Sequence, residues 1–425
     1  MGRGENMRPR IIRTWILAVL VSALSAAVAS SALAGPMFRG LGFLPGQSES
    51  YATAVSADGC VVVGTAPYMK AMTDDLKPGG DYSLPVTSGP DLYQAFRWTQ
   101  GGGMVGLGFI PGMNDSRGVA VSADGSVVVG YGYDLAHNAG TTAPQAFRWT
   151  AAGGTVGCGV DSTYGAAVTA DGSVVFGNRV DSMASVTNSP AGPWPFMWTE
   201  GSGTTEFLGC AFVSGVSADG TVKAGVSASF FYGDAVRWSP TGEMTHLAHL
   251  RSQTYAGARA VSADGAVIVG TESDNRLGPS GWSEAFRWTE AGGVVGLGYL
   301  PGGLEQTQAF AVSADGSVIV GRGSVGYAPP GDGFSQAIYE AFIWTPDEGM
   351  RNLRDLLIAQ CGLDLTGWTL ASATGVSADG RTIVGTGVNP DGQTEAWMAV
   401  IPEPATLALL ALGGAGVLIR RRRRH

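Results

Sequence analysis

The chain has 425 residues, 66 of them glycine and only 14% charged, which excludes a disordered polymer and an ordinary helix-rich enzyme. Nine of its 26 Lys and Arg, but only two of its 35 Asp and Glu, lie in residues 1–34 and 402–425, so the body between them carries a net charge of −16. An acidic body argues against nucleic acid or an anionic membrane surface as its partner and suits solubility outside the cell.

In chain order, residues 1–34 read as a signal peptide. Arg8, Arg10 and Arg13 form a basic start, and Trp15 to Val28 is apolar and small. Ala32 and Ala34 occupy the positions a signal peptidase inspects, so cleavage is expected before Gly35. The apolar run is short for a permanent anchor.

Residues 35–400 are built on an internal repeat. Ser-Ala-Asp-Gly or a near copy occurs seven times, with Asp58, Asp124, Asp171, Asp219, Asp264, Asp315 and Asp379 at its third position. Before it stands a short strand such as Gly118–Val121. Asp-Gly makes the turn, where glycine accepts φ > 0 and Asp bonds its own backbone. A β-branched second strand follows, as in Ser126–Gly130. After a variable loop, a third strand is marked by Ala-Phe-Arg-Trp-Thr at 95–99, 146–150 and 285–289, degraded at 195–199, 235–239 and 341–345. A Gly-Gly turn leads to a fourth strand such as Val294–Gly298, and Leu-Pro-Gly returns the chain to its start.

Four short strands with turn signals form one antiparallel sheet, and seven in series form either a propeller or an open β-repeat array. The ends decide. Phe38–Gly46 matches the fourth-strand segments Leu107–Gly112 and Leu297–Gly302, whereas the last repeat stops at the third-strand segment Ala396-Trp397-Met398. The first residues of the body therefore supply the strand that the last repeat lacks. The expectation is an all-β, seven-bladed β-propeller closed by pairing of its two termini.

Phe96 and Trp98 share a strand face, as do Phe147 and Trp149, and Phe286 and Trp288. One tryptophan per blade at one beat predicts packing between blades, against the alternative of a ring of sugar-stacking tryptophans. Arg351–Trp368 breaks the period: Leu353, Leu356 and Leu357 follow helical spacing and Gly362 ends it, so a helical insertion is expected ahead of the seventh repeat. Long loops are expected at Ala66–Tyr93 and Gly326–Tyr339, and variable loops on one rim are where a binding site would sit.

No catalytic constellation emerges. The seven equivalent aspartates are explained by the turn, whereas glycoside chemistry needs two carboxylates in distinct environments. His246 and His249 form His-x-x-His, which on a strand would face opposite ways, and His137 stands alone in a loop; no metal or other cofactor is implied. There is no nucleophile elbow and no phosphate loop. The four cysteines contain no CxxC pair, and Cys158 and Cys210, at comparable places in consecutive repeats, are candidates for a disulfide.

The tail, 401–425, runs Pro402-Glu403-Pro404, an apolar stretch Ala405–Ile419 of marginal length for a membrane span, then Arg420, Arg421, Arg422, Arg423 and Arg424. It resembles the PEP-CTERM sorting signal, which implies recognition by an exosortase, transient anchoring in the inner membrane and delivery to the cell surface or matrix; a plain C-terminal anchor is the alternative. The body resembles the extracellular HAF repeat, with Gln or Glu in place of His at the third-strand tripeptide, and it is similar to exported HAF proteins over Gly367–Trp397. That family implies an exported repeat protein with no catalytic residues to transfer. The expectation is thus a non-enzymatic surface or extracellular-matrix protein whose propeller is an interaction platform, for exopolysaccharide or a surface protein. The rivals are a polysaccharide-active lyase or hydrolase, which would need non-repeated polar residues converging at one mouth of the channel, and a structural spacer without ligand.

Overall fold

The computed structural model describes residues 35–402 except 70–91, 135–142, 180–193, 208–210, 228–232, 252–253, 275–280 and 329–336. Phe38–Ile401 form one compact unit; Met1–Met37 and Pro402–His425 group separately and lie almost wholly outside the described residues. The unit is a seven-bladed β-propeller of four-stranded antiparallel sheets. Blade 1 runs outward through β2 (Tyr51–Val55), β3 (Val61–Met69), β4 (Leu92–Thr99) and β5 (Gly103–Gly106). The first strands of blades 2 to 6 are β6 (Asp115–Val121), β10 (Thr163–Val168), β14 (Ala211–Val216), β18 (Tyr255–Val261) and β22 (Thr307–Val312). Blade 7 joins the two ends: β26 (Thr369–Val376), β27 (Thr382–Val388) and β28 (Thr394–Val400) are completed by β1 (Met37–Gly40). The ring is closed as the end segments required, and the open array is excluded.

The repeated tetrapeptide explains the closure. In the second copy, the buried Ser122 hydroxyl donates to Asp124 Oδ1 at 2.6 Å and accepts the Val127 amide at 3.0 Å. Gly125 sits at φ +71°, and a Cβ there would lie 2.3 Å from Val61 Cγ2 of the preceding blade. Glycine is therefore required both for the turn and for the approach of blades. The alanine amides link the blades in a circle. Ala57 donates to Ala123, Ala123 to Ala170, Ala170 to Ala218, Ala218 to Ala263, Ala263 to Ala314, Ala314 to Ala378 and Ala378 back to Ala57, at 2.8–3.0 Å.

The aromatic beat is interblade packing. Phe147 of blade 2 is fully buried among Val61, Val63, Ala95 and Leu107 of blade 1, and Phe286 of blade 5 packs on Ala224, Ala235 and Leu247 of blade 4. Burying such a ring contributes about 1.5–3 kcal/mol. At the tryptophan of the beat, Trp98 and Trp238 are buried and Trp149, Trp198, Trp288 and Trp344 half-buried, so none of these six is exposed for sugar stacking, and Trp397 is buried at the phenylalanine position. The arginine of the same beat reaches the next blade: Arg97 and Arg148 Nε donate to the carbonyls of Gly125 and Gly172 at 3.1 and 3.4 Å. Cys158 takes the place of the packing leucine Leu107, buried beside Val129 and Phe196, and burial pushes its thiol up to about 12. Its expected partner Cys210 lies outside the described residues.

Two boundaries differ from expectation. The helical insertion is shorter than 351–368: Arg351 and Asn352 end β25 (Gly349–Asn352), and the helix α1 spans Leu353–Ala359. Asn352 caps it by accepting the Asp355 amide, Leu353, Leu356 and Leu357 are buried, and Gly362 turns at φ +68°. The long loops are also shorter, because β3 and β4 continue their ladder to Met69 and Leu92, and β23 (Ile319–Tyr327) and β24 (Ala337–Thr345) pair as far as Tyr327 and Ala337.

Candidate functional site: the central channel and its variable rim

The seven first strands line a central channel of about 230 Å³. Each carries a β-bulge two residues before its end, at Thr53, Val119, Ala166, Ser214, Arg259, Phe310 and Thr374. A bulge bends its strand and re-aims the extra side chain, and all seven bulge residues line the channel. Their backbone role is repeated seven times while their identity is not. The position stands two residues before the valine of each Val-Ser-Ala-Asp-Gly or, in blade 3, Val-Thr-Ala-Asp-Gly, and nothing in that spacing shows that it faces a common cavity.

The two rims differ. One carries the seven Ser-Ala-Asp-Gly turns, where the structure places all of Asp58, Asp124, Asp171, Asp219, Asp264, Asp315 and Asp379. Each accepts the hydroxyl two residues earlier at 2.5–2.7 Å and the amide two residues later at 2.9–3.0 Å. These bonds hold Asp124, Asp171 and Asp219 down to about 2, the Ser or Thr hydroxyl first and the amide next. Such carboxylates are permanently ionised turn acceptors and poor proton donors at neutral pH.

The opposite rim carries the starts of the first strands and the loops between second and third strands, and here the side chains diverge. On blades 2 and 3, Arg117 stacks 4.7 Å from the Tyr93 ring and bonds Asp115 at 3.3 Å. Tyr131 packs edge-on against Tyr164 at 5.0 Å and Tyr133 at 5.7 Å. Burial, the largest cause, raises both Tyr131 and Tyr133, and with Glu49 beside it Tyr51 is pushed up to about 12. These phenols are hydrogen-bonding and stacking groups at neutral pH, and poor general bases. On blades 5 and 6, Arg259 and Arg322 flank Phe310 at 6.0 and 5.7 Å. Non-repeated tyrosine and arginine side chains thus do meet at this mouth.

The first residue of the third-strand beat also proves systematic. Glu395 and Glu284 reach over Gly40 and Gly296 of the outer strand and accept the amides of Gly42 and Gly298 at 2.8 and 3.1 Å. In blade 4 the same place holds Asp234, and the outer glycine is replaced by His246. Contrary to the expectation of opposite faces, both histidines bond this carboxylate: His246 Nδ1 lies 2.9 Å from Oδ2 and His249 Nε2 3.0 Å from Oδ1. The reason is that β17 (Met244–His246) ends at His246, so strand alternation does not reach His249. Among the described residues no group of three or more His, Cys, Asp or Glu is placed to hold a metal ion. His137 lies outside the described residues, as do Ala32, Ala34, Glu403, Pro404, Arg420, Arg421 and Arg422; Gly35 is exposed and Pro402 buried.

Beyond β28 the sequence itself is decisive. Residues 400–424 match the PEP-CTERM protein-sorting motif. PEP-CTERM is a substrate signal for exosortase processing and marks an exported, surface-sorted protein. The 405–419 span that accompanies PEP-CTERM lies outside the described residues, among which no helix is long and apolar enough to cross a membrane. No curated protein matches the chain in sequence. Among solved structures it is similar to an oligogalacturonate lyase in complex with manganese, at 10% identity and TM-score 0.50, covering 87% of this chain and 97% of that one. It also resembles virginiamycin B lyase from Staphylococcus aureus (13% identity, TM-score 0.48, 85% and 99% covered) and TolB from Acinetobacter baumannii (12%, 0.40, 68% and 62%). At these identities the likeness is one of fold, and the PEP-CTERM body is a propeller whose chemistry must be read from its own residues.

Proposed function

We propose that this chain is a non-enzymatic cell-surface or extracellular-matrix protein whose propeller is an interaction platform for exopolysaccharide, delivered by its PEP-CTERM tail and related to proteins with HAF-type repeats. The observation that supports this is the inequality of the two rims. Seven equal, mutually bonded turns lock one rim, while the non-repeated ends of the second and third strands and the exposed aromatic rings of Phe212 and Tyr255 at the starts of first strands lie on the other. Flat aromatic faces with adaptable hydrogen-bonding groups suit sugar rings. The test is co-sedimentation of the chain without its two end signals with the producer's purified exopolysaccharide, following both retention and release of sugar fragments. Retention without fragments is expected; absence of retention would overturn the platform reading.

A second reading, a polysaccharide lyase or hydrolase, is favoured by one observation: Arg117, Tyr131, Tyr133 and Tyr164 converge at the mouth. Fragment release in the same assay, abolished by Tyr164→Phe, would establish it.

A further inference from the structure

The acidic body leaves two guanidinium groups together without a counter-charge. Arg259 is the exposed bulge residue of β18 and the one charged side chain among those lining the channel. Its Cζ lies 6.0 Å from the Phe310 ring, and Arg322 Cζ lies 5.7 Å from the same ring on the neighbouring blade. Arg322 is further held by Tyr339, 4.3 Å from its Cζ, and by Gln308, whose Oε1 accepts its Nε at 2.9 Å. Among the described residues no carboxylate lies within ion-pair distance of either arginine, whereas Arg117, near the start of β6, is matched by Asp115. Burial first, and more weakly the nearby Arg259, lower Arg322 below its usual range against the opposing effect of Tyr339.

The two like charges repel, and an anion seated between them removes that repulsion, a local attraction that acts against the body's net charge of −16. Arginine forks recognise carboxylates bidentately, and Gln308 and Tyr339 keep one fork oriented. We infer that the channel mouth between blades 5 and 6 is a binding subsite for the carboxylate of an acidic sugar, so that the polymer this propeller takes is a polyuronate and not a neutral glycan; this rests on the platform reading above. The carboxylate sits between Arg259 and Arg322, beside the Phe310 ring that both flank.

The probe is alginate, with dextran as the neutral polymer, in affinity electrophoresis of the whole protein at low and at physiological salt. The expected result is retardation by alginate and not by dextran, with at least a tenfold loss of affinity in Arg259→Ala and an intermediate loss in Arg259→Lys, which keeps the charge but not the fork. Arg259 is exposed, so its variants keep the wild-type melting curve; Arg322→Lys supplies a conservative partner test where truncation of a half-buried side chain would disturb the blade. Retardation by alginate that is indifferent to Arg259 and Arg322 would overturn the inference. So would no alginate retardation; in that case binding of dextran or of the producer's polymer would leave the platform reading standing, and binding of none would remove both.

Discussion

Three glycines of blades 1 and 2 separate the two demands made by the repeated turn. Gly101 has ordinary φ and nothing within 4 Å of a built Cβ; Gly103 has φ +66° and equally open space; Gly125 has φ +71° and the Val61 side chain 2.3 Å away. Alanine at Gly101 is expected to change stability by less than about 0.5 kcal/mol. At Gly103 it meets only the left-handed penalty, about 1–2 kcal/mol. At Gly125 overpacking of the blade interface adds about 1–3 kcal/mol, for a total of about 2–5 kcal/mol. With a urea m-value near 3 kcal/mol/M, the midpoint falls by about 0.3–0.7 M for Gly103→Ala and about 0.7–1.7 M for Gly125→Ala. Tryptophan fluorescence in a urea titration reads both, with constant m as the condition for comparison. Equal losses at Gly103 and Gly125 would refute the claim that the repeated glycine serves blade contact as well as the turn.

Ser122→Ala strips the buried Val127 amide of its hydroxyl acceptor and is expected to cost about 1–3 kcal/mol, read in the same titration. The depressed aspartates give a pH signature. Unfolded carboxylates titrate near 3.8 and Asp124, Asp171 and Asp219 near 2 in the fold, so their stabilisation is complete above the unfolded value and is lost as pH falls from 3.8 through 2. Urea midpoints at pH 5, 3 and 2 should fall together, and less steeply in Asp124→Asn. Exposed Cys60 should react with a thiol reagent in the native protein long before buried Cys158, by mass spectrometry of labelled peptides. Deleting Met37–Gly42 leaves β28 as an open edge and should lower the midpoint and promote self-association on a sizing column.

The repeat, the strand count, the closing blade and the packing role of Phe147 or Phe286 were all legible in the sequence, because turn chemistry and period-two alternation are local. The channel was not. Thr53, Val119, Ala166, Ser214, Arg259, Phe310 and Thr374 come together only because the same bulge recurs in blades that are distant in sequence, and a bulge leaves no mark in an alternating pattern. The convergence of His246 and His249 on Asp234 escaped for a related reason: where β17 stops decides which way His249 points, and strand ends are set by tertiary pairing. The Gln or Glu of the third-strand beat was visible as a family variant, but its bond over Gly40 and Gly296 depends on the outer strand lying beside it.

The clasp of blade 7 gives the molecule a direction of assembly. Six blades are made of neighbouring hairpins that need nothing beyond their own stretch of chain, whereas Gly42 and Glu395 meet across 353 positions. Their loop must be closed before the contact repays its entropy, so the join is expected to be a late event of folding. A chain threaded through a narrow pore amino-terminus first would carry β1 as an unpaired single strand until the last residues of β28 arrive. The polar Arg39 beside Phe38, and the glycine that ends that strand, keep its waiting edge short and a poor template for other chains.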